Sequence, residues 1–598
     1  MSDSHPSHDA RRDYAAMGVV FVVAFVLRIT YWVWMRKHYF FYDHPSSDVL
    51  YYQEWAKEIS QGGWLGTKTF FGLPLYPYFL AVLDRLSLGH AAFVRLMHLF
   101  LGSLNCVLTY AVAGRIFSRR VAFLSGLLLA VNFVAIYYDW LMMPVTLIIS
   151  LSLIIILSFV DSDRISKRTE RFILGFLIGL TALGDGKILV FLSLTFIYLF
   201  YRYRKGFIGI VLPLIIGVML PLGFTGLRNK IVGGDWIWIS AQQGLSFYVG
   251  SNPKATGLFD NPCFIRPTHQ GQDEDQVMVA EILAKRPLTP AGVSRFWHGQ
   301  ALSFMKNQPR DYLRLFGKKF KLFFTETEAA YEIDLLLQRD WKRLWDINPF
   351  YLMCPLALVG MAAAQRKRRQ TIYLDFMILS QLIFTLVFFL THRHRTGIFP
   401  ILIIYESFCV FWLADQLRSK NFKRLSLAVG FFVLFLFAFR PQAMAAEEVA
   451  FYWWTKSGAV YEKRQDLSKA RECYSKALGI RPADTNAMYN LANAFAIDGD
   501  FASAKEYYQK ILSLNPYQVD TLYNLGFVEE KMGADEQSLA LYAHVLQLQP
   551  QSPDALLRMA QVYQRQGNCG MAKRYYVQLM RLKPQFSKEI HQRLAQCP

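Results

Sequence analysis

Apolar runs alternate with short polar connections along the first three quarters of the chain. They fall near Met17–Met35, Ala91–Ala113, Val121–Tyr137, Met142–Val160, Phe172–Leu183, Ile188–Tyr201, Phe207–Phe224, Pro349–Ala364, Ile372–Leu390, Gly397–Ala414 and Leu425–Phe439. Runs of this length predict bilayer-crossing helices, about eleven in all. The first is too long for a removed signal and lacks a small-residue cleavage site, so it reads as a retained span. Phe172–Tyr201 holds about 30 residues, yet both of its ends are basic. A hairpin of two half-helices, each reaching only ~20 Å, fits that stretch; the alternative, a single long tilted helix, would put the Arg366–Arg369 cluster outside. Its turn, Gly184-Asp185-Gly186-Lys187, would lie below the surface, where charged irregular backbone survives only inside protein or a water-filled cavity.

The pattern changes after the last run. Pro482, Pro516, Pro550 and Pro584 are spaced by 34 residues, and Ala470, Ala504, Ser538 and Ala572 keep the period. So do Tyr474, Tyr508, Tyr542 and Tyr576, and the small residues Gly458, Ala492, Gly526 and Ala560. This register resembles the tetratricopeptide repeat, four units over about 449–584 with Gln585–Pro598 as a capping helix. Small residues let paired helices approach, tyrosines fill the gap, and proline ends each second helix. Two domains are therefore expected, 1–445 in the membrane and 446–598 as an α-solenoid, making the chain an all-α integral membrane protein.

Charge sets the expected orientation. The chain has 65 Lys+Arg against 45 Asp+Glu, a net +20. Such an excess can signal nucleic acid, but here much of it sits between apolar runs. Arg11/Arg12, Arg115/Arg119/Arg120, Arg164/Lys167/Arg168/Arg171, Arg202/Arg204/Lys205, Arg366–Arg369 and Arg418/Lys420/Lys423/Arg424 fall in alternate connections. The other short connections hold only Lys187, Arg393 and Arg395. By the positive-inside rule the first set is cytoplasmic, which puts the N-terminus inside and the repeats outside. Two outer loops are long, about 36–90 and 228–348. Within the second, Ala291–Phe324 has a basic amphipathic pattern that suits either a helix at lipid headgroups or a solvated one. With 53% apolar and 18% charged residues, the chain is neither disordered nor an ordinary soluble enzyme. Seven cysteines without a CxxC pair give no zinc or haem signature. Cys569 and Cys597 open the last repeat's second helix and end the cap, so they are a candidate disulfide in an oxidising compartment.

Polar groups from separate loops share the outer side: Asp43, His44, Asp48, Asp139, Asp185, Lys187, Arg228, His392, Arg393, His394 and Arg395. Asp48 stands in Pro45-Ser-Ser-Asp48-Val-Leu-Tyr51-Tyr52, followed by Gly72-Leu-Pro74-Leu-Tyr76-Pro77-Tyr78. Later come Leu227-Arg228-Asn229, Gly250-Ser-Asn252-Pro253-Lys-Ala-Thr-Gly257 and Arg393-His-Arg395-Thr-Gly-Ile-Phe-Pro400. In order and topology these resemble the GT-C membrane glycosyltransferases, specifically the protein O-mannosyltransferases and lipid A aminoarabinose transferases, over about residues 15–415. The chain departs from that pattern at Pro144-Val145, where many relatives have Pro-Glu, and at Asp185, where Arg is common.

The resemblance implies a sugar carried on a polyprenyl phosphate and transferred with inversion to an acceptor hydroxyl outside the cytoplasm; the retained N-terminal span, short loops and compact connections read as bacterial, which makes the expected site the periplasmic face of the inner membrane. No cofactor or metal is implied, since the lipid-linked sugar is a substrate. A hydroxyl nucleophile needs a base, and a carboxylate is competent; a departing phosphate needs cations and donors. Asp48 is the candidate base, against the alternative of a helix N-cap carboxylate. Asp139 would orient acceptor or base, unless it makes only a structural hydrogen bond. Arg393 and Arg395, then Lys187 and Arg228, are candidate phosphate ligands, against snorkelling to headgroups. Asp43, Tyr51, Tyr52, Tyr76, Asp185, His392 and His394 would lie near acceptor or sugar. Arg28, inside the first run, reads as the buried partner of a carboxylate. The repeats would present a protein acceptor with Ser or Thr hydroxyls. Two alternatives stand beside this reading: a glycan ligase or polymerase of the O-antigen type, and a non-catalytic scaffold or lipid transporter whose repeats recruit partners.

Overall fold

A computed structural model describes residues 6–43, 47–160, 167–260, 262, 264–266, 269–326, 348–440, 446–583, 590 and 593. These are helical throughout apart from turns and one isolated bridge, Leu258 to Leu390. They form two compact units.

The first unit contains α1 (Pro6–His38), α2 (Ser47–Ser60), α3 (Leu75–Leu86), α4 (Ala91–Ile116), α5 (Arg119–Val131), α6 (Phe133–Leu141), α7 (Pro144–Val160), α8 (Arg168–Ala182), α9 (Lys187–Tyr203) and α10 (Phe207–Gly233). The long loop that follows folds into α11 (Gln243–Gly250), α12 (His269–Ala284), α13 (Pro290–Asn307) and α14 (Pro309–Phe324). Then come α15 (Phe350–Ala363), α16 (Arg368–Val387), the single turn α17 (His392–Thr396), α18 (Phe399–Arg418) and α19 (Phe422–Ala438). Local chemistry sets several boundaries. Asn132 caps α6 by accepting from Ala135 N, and the chain bends 57° between α5 and α6 there. Thr391 caps α17 by accepting from His394 N, and Asn421 caps α19 by accepting from Arg424 N.

Five helical stretches among the described residues are long and apolar enough to cross a membrane, or up to six if the bent α5–α6 pair is one span. That is fewer than the eleven expected, for two physical reasons. Short helices such as α7, with 17 residues, and α8, with 15, fall below the usual span length. Two long stretches also each absorb two of the apolar runs, Lys187–Gly233 and Phe350–Val387. The first of these folds back on itself. A Cβ on Gly175 would lie 2.2 Å from Leu214 O and one on Gly179 would lie 2.4 Å from Val218 O, so α8 and α10 run side by side in the same direction. The intervening α9 must return between them, as the hairpin reading of Phe172–Tyr201 requires.

Close approach without side chains is the rule for helices packed in an apolar medium. Gly217 shows it from the other side, with a Cβ there falling 2.2 Å from Phe172 O. Gly217→Leu is expected to force α8 and α10 apart and destabilise the unit by at least about 1–3 kcal/mol. Thermal unfolding of the purified variant in detergent checks this; an unchanged melting temperature would contradict the packing described.

Polar contacts sort the helix ends. Asp13 pairs with Arg119 at 3.0 Å and accepts from the Tyr110 hydroxyl at 3.0 Å, and Lys367 Nζ donates to Ile116 O at 3.0 Å. The start of α1, the α4–α5 turn and the α15–α16 turn therefore meet. The far ends of the same helices carry the α8–α9 turn and α17, where Lys187 Nζ donates to His394 O at 3.3 Å. Leu75 N, in the Leu-Tyr-Pro segment, donates to Leu183 O at 3.2 Å, which brings the first loop to that end. The second loop is tied there too. Gly250 lies so close to Phe388 that a Cβ would sit 2.0 Å from its carbonyl, and Leu390 N donates to Gly257 O at 3.0 Å, with Gly257 at φ +89°. Only glycine satisfies both demands, contact in one case and a left-handed backbone in the other.

The surface of this unit carries apolar side chains in bands. Ile208, Leu212, Ile216, Leu220, Phe224 and Ile231 are exposed along α10, as are Leu427, Val429, Val433, Leu434 and Phe437 along α19. Beyond α10 the rings of Trp236 and Trp238 stack, both about half exposed. Helix α14 exposes Leu313, Phe316 and Phe320 beside Lys318 and Lys321, while Leu315, Lys319, Leu322 and Phe323 are buried; Lys319, expected on the basic face, instead donates to Leu386 O at 3.1 Å.

The second unit holds eight helices among the described residues: α20 (Ala446–Lys463), α21 (Leu467–Ile480), α22 (Thr485–Asp498), α23 (Phe501–Leu514), α24 (Val519–Lys531), α25 (Asp535–Leu548), α26 (Pro553–Arg565) and α27 (Cys569–Leu582). They pair as the 34-residue register predicts. Tyr474, Tyr508, Tyr542 and Tyr576 are fully buried. Gly458 and Gly526 face the rings of Tyr474 and Tyr542, where a Cβ would fall 2.5 and 2.8 Å away. Gly499, Gly533 and Gly567 turn the chain at positive φ. Two loop pieces, Asn261–Pro267 and Glu274–Ile282, belong to this unit as well. Arg266 bonds Glu274 and Asp275, at 2.7 and 2.8 Å, and reaches Asp520 on α24 at 2.5 Å. Met278 packs with Val519, Leu522, Val545 and Ala555. Cys569 is disulfide-bonded; Cys597 lies outside the described residues.

Candidate active site

Asp48 opens α2, and its carboxylate is 4% exposed. Both oxygens are engaged from distant parts of the unit. His269 Nε2, at the start of α12, donates to Oδ1 at 2.9 Å, and Arg393 Nη1, on α17, donates to Oδ2 in a short charge-assisted bond. The imidazole of His269 stacks on Tyr51 with ring centroids 4.0 Å apart. Burial alone would raise the Asp48 carboxyl, but the Arg393 guanidinium and the His269 hydrogen bond outweigh it and hold the group far below the ordinary carboxylate range. Burial pushes the Tyr52 hydroxyl up to about 12 against the lowering pull of Arg393. His394 is held neutral, first by burial and then by the charges of Lys187 and Arg393. On the hairpin turn, Lys187 Nζ pairs with Asp185 Oδ2 at 2.9 Å.

These groups open onto one cleft of about 440 Å³. Asp48, Tyr51, Tyr52, Asp185, Lys187, His269, Arg393 and His394 line it, with Gln242 and Gln272 hydrogen-bonded to each other at 3.0 Å. The remaining wall is apolar, built from Val145, Ile148, Leu189, Val190, Phe384, Phe388 and Phe389 among others. Two carboxylates, two cations and a greasy wall in one cavity can hold an amphiphile by head and tail while a base faces its head.

Other expected site residues lie elsewhere. Arg395 is fully buried and spends its guanidinium on Thr325 O at 2.6 Å and Phe323 O, over the Phe350 ring at 3.9 Å. Arg228 likewise donates to Leu65 O and Lys68 O, both at 2.7 Å, over the Phe70 ring at 3.7 Å. Both arginines staple loop carbonyls, and neither lines the cleft with Arg393 and Lys187. Asp139 also lies outside that cleft. Its buried carboxylate takes Arg28 Nε at 2.8 Å and Thr146 Oγ1 at 2.8 Å, and a Cβ on Gly102 would collide with it at 2.1 Å. Arg28 is thus the buried partner the sequence suggested. Tyr76 is buried with its hydroxyl 3.2 Å from His98 Nε2, His392 is buried against Tyr138 and Phe399, and Asp43 is exposed outside the cleft. His44 lies outside the described residues. His269, Gln242 and Gln272 were missed; they sit in the long loop with no periodic or motif signal. Among the described residues no cluster of three or more His, Cys, Asp or Glu is arranged for a metal ion.

Comparison with known proteins identifies the second unit alone. The tetratricopeptide repeat family matches residues 485–517, 454–484 and 553–586. No curated protein matches the chain. Among solved structures, the first such domain of Spaghetti (RPAP3) bound to an HSP90 peptide is 22% identical, covering 19% of this chain and 92% of that one, with TM-score 0.19. MamA is 19% identical over 29% of this chain and 96% of its own, with TM-score 0.22, and Pseudomonas aeruginosa pilF is 16% identical over 29% and 74%, with TM-score 0.21. The C-terminal part of the chain is a tetratricopeptide repeat array.

Proposed function

We propose that this protein is a membrane glycosyltransferase that moves a sugar from a polyprenyl phosphate to an acceptor hydroxyl. The observation that carries the reading is the cleft in which Asp48, Arg393 and Lys187 converge beside an apolar wall. In the reaction, the acceptor oxygen forms a bond to the anomeric carbon while the bond from that carbon to the phosphate oxygen breaks. The electron pair leaves with the phosphate, whose charge falls to Arg393 and Lys187, and the acceptor proton passes to Asp48. The prenyl chain runs along Phe384, Phe388, Phe389, Leu189 and Val190.

The membrane setting is part of the proposal. Eleven passages, α5 and α6 counting as one, place the basic turns in the cytoplasm and the cleft at the periplasmic face of a bacterial inner membrane. The apolar bands on α10 and α19 suit lipid contact, the Trp236–Trp238 pair suits a headgroup belt, and α14 suits the interface. The repeat unit binds a protein partner, as such arrays commonly do, and we assign it the protein acceptor.

Incubating purified protein with a polyprenyl-phosphate sugar and an acceptor extract, then following free polyprenyl phosphate, tests the reading. Acceptor-dependent release is expected. A protein that binds the lipid and never releases the sugar would instead be a scaffold or transporter.

A further inference from the structure

Both cations of the cleft already hold a carboxylate. Lys187 is on Asp185 and Arg393 is on Asp48, so these four charges sum to zero. An entering phosphate gains full cationic contact only by drawing a cation from its partner. Exposure decides which one moves: the Lys187 side chain is 9% exposed and also tied to His394 O, whereas the Arg393 side chain is 27% exposed. The partner that Arg393 would leave is the candidate base itself. A carboxylate bound to a guanidinium is a weak proton acceptor, because the ion pair stabilises its charged form.

Resting on the polyprenyl-phosphate reading above, we propose that Arg393 is shared between Asp48 and the donor phosphate, so that donor binding releases the base. With the cleft empty, Arg393 pins Oδ2 and the carboxylate is a poor base. With a lipid phosphate bound, the guanidinium turns to the phosphate oxygens, Oδ2 becomes available to the acceptor proton, and His269 keeps Oδ1 in place. An acceptor arriving first meets a silent base, so the device imposes donor-first order. The charged and titratable groups around Asp48 are Arg393 and His394 from α17, His269 and Asp273 from α12, Lys187 and Asp185 from the hairpin turn, and Tyr51 and Tyr52 from its own helix. Among them only Arg393 ion-pairs with Asp48 and also faces the cleft as a permanent cation.

The test is an affinity measurement on the full-length protein with polyprenyl monophosphate in detergent. Removing an opposite charge from a carboxylate raises its pKa by about 1–3 units, and by linkage the same factor, about 10–1000-fold, separates donor affinity with and without the competing charge. Asp48→Asn, which keeps the side-chain shape but removes the charge that competes with the phosphate for the guanidinium, is therefore expected to bind the lipid phosphate at least about ten-fold more tightly than the wild type. Arg393→Gln is expected to bind it more weakly, and the double variant should show no gain over Arg393→Gln. Equal or weaker binding by Asp48→Asn, with the wild type binding measurably, overturns the sharing of Arg393 and leaves the transferase reading standing. Absence of binding by every variant and the wild type overturns both.

Discussion

Asp48→Asn protein is expected to transfer sugar about 10²–10⁴-fold more slowly than the wild type, the span attributed to a positioned general base, while melting at the same temperature. The amide is isosteric and can satisfy both neighbours. Its oxygen accepts from Arg393, and its N–H donates to His269 Nε2 once the imidazole carries its proton on Nδ1. The loss should therefore fall on kcat, with donor binding tightened. Turnover near the wild-type rate in a correctly folded variant would remove Asp48 from the chemistry and leave it as a helix-opening carboxylate.

The largest effect on stability is expected at Arg28. Arg28→Met leaves the Asp139 carboxylate buried beside Thr146 with its cation gone, which costs about 3–5 kcal/mol when a buried pair is broken from one side. Pairing it with Asp139→Leu should recover most of that loss, because replacing both charges by apolar groups is often neutral. Comparing the unfolding of the two single variants and the double variant measures the coupling directly. A single variant as stable as the wild type would mean that the carboxylate finds another partner in the pocket.

The cleft was half legible in the sequence. Asp48, Asp185, Lys187, Arg393 and His394 were grouped because charge alternation puts their loops on one side, and side is a property that topology carries. Which of those polar groups face a common space depends on packing, and the sequence does not carry that. Arg228 and Arg393 look alike in a string, yet one bends back to the carbonyls of Leu65 and Lys68 and the other reaches a carboxylate 345 residues away. His269 was invisible because α12 lies deep in a long loop, and one imidazole among polar residues has no period to betray it. The repeat unit was the opposite case. A small residue meets a tyrosine in every unit, Gly458 with Tyr474, Ala492 with Tyr508, Gly526 with Tyr542 and Ala560 with Tyr576, so packing is written into spacing. The span count fell between the two, since hydropathy marks apolar runs well but not where a stretch such as Lys187–Gly233 folds back.

Arg266 and Met278 bear on how the repeat array can be handled and inherited. A fragment beginning at Ala446 would contain Asp520 without its guanidinium and Val519 and Leu522 without the methionine that covers them. Such a fragment should be less soluble than an autonomous repeat array. A descendant that lengthened the long loop would have to conserve this plug or lose part of the solenoid's surface. The loop and the tail are in this sense one heritable element, separated by about 160 positions in the chain.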